Sequence, residues 1–90
     1  MREIDALRHL ADAEAAGVGY NWLRTPHNDV NMSSFYEADG HWVVSTTNER
    51  ATEESVQEYA DREAAIEDFV SRVDASVSLV EWRKRRTSAG

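Results

Sequence analysis

The chain has ninety residues, with ten Lys and Arg against seventeen Asp and Glu and a net charge of -7, enough length for one domain around a single modest core. Its hydrophobic share of 41% supports a folded domain, and the absence of cysteine excludes disulfide scaffolds, thiolate zinc sites and cysteine nucleophiles. No apolar run approaches the ~20 residues of a membrane span, and Met1-Arg2-Glu3-Ile4-Asp5 lacks the apolar stretch of a secretory signal, so the expected protein is cytoplasmic and off the membrane.

The first sixteen residues read as a helix. Ile4, Leu7, Leu10 and Ala11 form the predicted buried stripe, Glu3 and Asp5 suit the first turn, and Gly17 supplies a left-handed stop. From Val18 the pattern changes to strands. Gly19 to Arg24 alternates aromatic and polar residues, Thr25-Pro26-His27-Asn28-Asp29 is a loop, and Val30 to Ala38 is a second strand. Asp39-Gly40 predicts a tight hairpin turn into the strand His41 to Thr47, because both central residues of such a turn need positive φ. On that strand, alternation places Trp42 and Val44 inward and Val43, Ser45 and Thr47 outward. Asn48 to Thr52 reads as a turn or bulge.

Ser55 to Tyr59 fits a short strand or a helix; the fresh N-cap at Asp61 favours the strand. A second helix follows, with Ile66, Phe69, Val70 and Val73 at helical spacing. Ser76 and Ser78 leave a kink near residue 75 as open as continuity. The expected fold is therefore α+β: an N-terminal helix, a three- to four-stranded antiparallel meander and a C-terminal helix in two layers. Residues 1–86 form its single domain and 87–90 a disordered tail.

Catalytic signals are sparse. His9, His27 and His41 fall on a helix, a loop and a strand start, with no H-x-x-x-H spacing among them. His27 beside Asp29 has the look of a base with its orienting carboxylate, and equally of a polar turn next to Pro26. Ser33, Ser34 and Ser45 lack the glycines of a nucleophile elbow, and no glycine-rich phosphate loop is present. These features predict a protein that is not an enzyme and needs no metal or cofactor. Trp82-Arg83-Lys84-Arg85-Arg86 pairs an aromatic with four cations, as nucleic-acid binders do, and as soluble helix ends do.

All seventeen acids lie in residues 1–82, and eight of them fall between Glu49 and Asp68 beside only Arg50 and Arg62. Such a run is either a solvated face or a docking surface for a basic protein, and it repels extended polyanions. Trp22, Tyr36, Trp42 and Tyr59 lie on the predicted strands, where each is core or an interface anchor.

The stretch Asp39-Gly40-His41-Trp42-Val43-Val44, then Asn48-Glu49-Arg50, then Tyr59 to Ala65 and Phe69, resembles the small immunity proteins of bacterial polymorphic toxin systems, and is most similar to the immunity protein 59 family. Gly40, Trp42, Val44, Glu49, Arg50 and Phe69 carry the likeness, which spans residues 4–73. Ala51 stands where that family has its turn glycine, and Ser45 and Thr46 where it has tyrosines. The resemblance implies no catalysis and tight one-to-one binding, as a monomer, to a cognate toxin whose catalytic cleft is basic. With the acidic run, it makes Glu49, Glu53, Glu54 and Glu58 the expected electrostatic contacts, with Asp39 at the hairpin tip and Tyr36 as an aromatic contact. Glu49-Arg50 is equally an internal pair that fixes the turn. The alternatives are a small acidic adaptor or regulatory domain unrelated to toxins, and a DNA-associated protein that uses Arg83 to Arg86.

Overall fold

A computed structural model describes residues 1–89, with side chains through Arg86. The elements run α1 (Glu3–Ala15), β1 (Tyr20–Trp22), β2 (Ser33–Ala38), β3 (His41–Thr47), β4 (Glu53–Tyr59) and α2 (Arg62–Ala89). The fold is α+β, with two helices on one face of a four-stranded sheet ordered β1-β2-β3-β4. No helix among the described residues is long and apolar enough to cross a membrane.

Local chemistry accounts for the element ends. Gly17 at φ 81 closes α1: its N–H reaches the Glu14 carbonyl at 3.0 Å and the Val18 N–H reaches that of Ala13 at 2.9 Å, the paired bonds of a Schellman stop. Asp39 (φ 51) and Gly40 (φ 78) form the expected hairpin turn between β2 and β3. The Asp61 carboxylate accepts the Glu63 N–H at 3.2 Å and caps α2. That helix is continuous past residue 75, where the Ser76 hydroxyl donates to the Arg72 carbonyl one turn back. Its backbone remains helical through Ala89, where a disordered 87–90 was expected; Gly90 lies outside the described residues.

Two expectations are corrected. The sheet is mixed, because β1 pairs with β2 in parallel, Tyr20 opposite Ser33 and Trp22 opposite Phe35. A three-residue strand is only ~10 Å long, so the connection over residues 23–32 carries the chain back to its start without a helix. Leu23, Asn28 and Asn31 take left-handed φ in that connection, and β2 starts at Ser33, after Asn31, where Val30 was expected. The second correction is the rotation of α1. Ala6, Leu10 and Ala13 are its buried residues, while Ile4 is 61% and Leu7 49% exposed and Ala11 faces out. Ala6 and Ala13 let the two helices approach closely, and polar links at the flank hold that rotation: Glu3 pairs with Arg62, and His9 Nδ1 lies 3.0 Å from the Asp74 carboxylate.

Phe35 and Phe69 anchor the core, with Leu10, Val44, Ile66, Val70 and Val73 around them. Trp42 stacks on Phe35 at 5.3 Å and Trp22 tilts against it at 5.0 Å. Arg62 covers the outer face of Trp42, its guanidinium carbon 4.9 Å from the ring centre. Tyr59 donates to Asp68 at 2.7 Å, and Asp68 holds Arg72, which reaches the Thr46 hydroxyl at 3.1 Å, so one polar chain clasps α2 to β3 and β4.

Candidate functional site

The two faces of β3 define the site. Trp42 and Val44 point to the helices, opposite Tyr59 and Gln57; Val43, Ser45 and Thr47 point to the other face, as alternation predicts. These three are nevertheless buried. Asn21, Ser34 and Ser45 give that face a low polar floor, and the 23–32 connection crosses part of it. Asn21 donates to Ser34 at 3.0 Å and to Asp29 at 2.9 Å, while the Thr47 hydroxyl exchanges hydrogen bonds with the Met32 backbone.

The half of this face over β3 and β4 carries no such cover. Between Val44–Gln57 and Thr46–Glu54, β4 takes three steps to β3's two, and Ser55 sits at φ 50 in the resulting bulge. The bulge swaps the faces of the residues before it. Val56 and Glu58 lie on the open face by alternation, and so does Glu53, whose carboxylate accepts the Tyr36 hydroxyl at 2.8 Å. Val56 is 48% exposed beside them. Ser45 Oγ, on the floor, is fully enclosed without a hydrogen-bond partner; it lies near enough to Tyr36 to favour its ionisation slightly, but outside bonding geometry. Burial, the hydrogen bond to Glu53, and the charges of Glu53 and Glu58 push the Tyr36 hydroxyl up to about 12 against that effect.

Of the six expected contact residues, Tyr36, Glu53 and Glu58 thus come together. Glu54 faces the helix side and accepts the Asn48 amide at 2.9 Å. Glu49 is exposed in the turn after β3, and Asp39 stands in the hairpin at the other end of that strand, roughly 23 Å away by strand rise. Asp39 and Glu49 therefore lie at opposite ends of β3. The 48–52 turn is fixed by Asn48, whose side-chain oxygen accepts the Arg50 and Thr52 N–H groups at 2.8 and 3.0 Å; no Glu49–Arg50 ion pair forms among the described residues. Asp61 and Asp68 are engaged in capping and in the Arg72 clasp, so the acidic run divides into structural and free members. Val56 and the Ser55 bulge were not singled out from sequence; a serine in a polar strand carries no bulge signal.

The remaining candidates resolve locally. His27 and Asp29 form a turn in which the His27 backbone N–H donates to Asp29 at 3.0 Å, and this bond, with that of Asn21, holds the carboxyl below its usual range. Among the described residues no group of three or more His, Cys, Asp or Glu is placed to hold a metal ion. Trp82, 49% exposed on the final turns of α2, lies under the Arg86 guanidinium at 5.3 Å.

Fold and site together define a two-layer α+β domain with one half-open, acidic and partly apolar sheet face. No family model, curated protein or solved structure matches the chain. The resemblance to immunity proteins accordingly rests on the residues quoted for it.

Proposed function

We propose that the chain is an immunity protein that binds a cognate bacterial toxin domain one-to-one in the cytoplasm and covers its basic, nucleic-acid-attacking cleft with the β4 side of the sheet. The observation that carries this reading is the grouping of Tyr36, Glu53, Val56 and Glu58 on the open half-face, with no Lys or Arg between residues 51 and 61. An aromatic and an aliphatic side chain provide contact area, while the carboxylates attract and orient a cationic cleft. The chain acts by occlusion and performs no chemistry. Nucleic acid is not its partner, because the body of the chain repels it.

Co-expression tests the proposal. Cells making the protein encoded immediately upstream should die without this chain and grow with it. Growth that is equally poor with and without the chain would remove the immunity reading.

A further inference from the structure

The sheet ends at β4, which among the described residues has β3 on one side and no strand on the other. An edge strand leaves alternate backbone N–H and C=O groups facing outward, where another extended chain can pair with them. The opposite edge, β1, is three residues long, whereas β4 has seven, all exposed except Tyr59. Beyond the bulge at Ser55 and Val56, residues 57–59 form a regular ladder with β3, so their outer side is the straightest stretch of free edge.

We propose that this edge accepts a fifth strand from the protein partner, an extended segment with Lys or Arg at alternate positions. The inference rests on the reading of an acidic docking face and adds how the partner's backbone engages it. Main-chain hydrogen bonds supply affinity in strand addition and side chains supply selection. Here selection comes from Glu53 and Glu58 on the open face and Glu54 on the helix side, with Val56 as the apolar contact.

Charge also weighs against a second copy as occupant. In the antiparallel self-pairing that sets Glu53 of one copy opposite Glu58 of the other, both carboxylates lie on the open face. Like charges directly opposite destabilise a strand pair, and opposite charges stabilise it. A basic strand avoids that conflict and satisfies the same edge.

The test titrates the isotope-labelled full chain with a short synthetic peptide alternating Lys with Val and Thr. Two companion peptides carry N-methyl groups on one or the other alternate set of backbone nitrogens, and a third has Glu for Lys. The expected result is slowed exchange of the outward-facing amides within residues 57–59 with the Lys peptide, at least a tenfold affinity loss in one N-methylated version, and no binding of the Glu peptide. The variant with Glu53→Gln, Glu54→Gln and Glu58→Gln should lose about tenfold for the Lys peptide. Equal affinity of both N-methylated peptides, or no binding of the Lys peptide, overturns strand addition. Cell protection separates the two readings: if the edge test fails but the triple variant loses protection, the acidic face stands and only its mode of docking is wrong. If the triple variant protects fully, the acidic face itself is refuted.

Discussion

The two faces of this sheet are built from the same strands to opposite ends. On the helix side, Phe35, Trp42 and Val44 meet Phe69 and Trp22 in a packed aromatic cluster. On the other, the neighbouring residues Ser34, Val43 and Ser45 are short, and the surface above them belongs to Tyr36, Val56 and glutamates. Burial on the first face is apolar and drives folding. On the second it comes from small residues beneath larger polar ones, which leaves a face suited to contact with another molecule. The lesson is that burial in this sheet does not distinguish core from floor; the chemistry of what covers each residue does.

That contrast can be broken at graded cost. Phe69→Ala, at the centre of the helix-side cluster, should destabilise by about 3–5 kcal/mol in urea titration, enough to unfold much of so small a domain. Asp68→Ala strips Arg72 and Tyr59 of their shared acceptor and should cost about 1–3 kcal/mol by the same measurement. On the open side the effects are smaller. Ala51 sits at φ 62, a conformation that a Cβ disfavours, so Ala51→Gly should raise stability by about 0.5–1 kcal/mol despite glycine's larger unfolded-state entropy. It is also the position where the resembled family carries glycine. Ser45→Ala removes an enclosed hydroxyl that makes no hydrogen bond, and should leave the unfolding midpoint unchanged or slightly raised.

The tyrosines sharpen the comparison through pH. In the fold the Tyr36 hydroxyl is pushed up to about 12, against the ordinary tyrosine value of about 10. Between those values the unfolded chain releases a proton that the folded chain keeps, so stability falls as pH rises through this window; below it the contribution is intact. Tyr20 and Tyr59 are raised too and add to the slope: Tyr20 chiefly through burial, Tyr59 through its bond to Asp68. Tyr36→Phe should flatten part of the base-induced unfolding followed by circular dichroism, and leave the remainder.

How much of this was legible depended on whether the deciding signal was local. The Asp39-Gly40 turn, the Gly17 stop, the Asp61 cap and the Ile66-Phe69-Val70-Val73 stripe each use a residue whose own geometry demands the structure, and all are found as read. The parallel β1–β2 pair was hidden because a loop of turn formers looks the same whether the chain reverses or crosses over. The rotation of α1 was hidden because Ile4 and Leu7 are as apolar as Leu10, and only the close approach of α2 selects the alanine-lined side. At the site, Tyr36, Glu53 and Glu58 were legible as types of residue. Their union on one face was not, since strict alternation from Glu58 would put Glu54 there, and the Ser55 bulge puts Glu53 there instead.

The central claim is that the open acidic half-face is a docking surface for a basic protein. Its most direct test measures the affinity of the purified chain for the protein encoded upstream across a series of salt concentrations, with the wild-type chain and with Glu53→Gln, Glu54→Gln and Glu58→Gln combined. The account predicts affinity that falls as salt rises, and a variant that stays folded, binds more weakly at low salt and has a shallower salt dependence. Affinity indifferent to salt, or a variant that binds as tightly as the parent at every concentration, would contradict it.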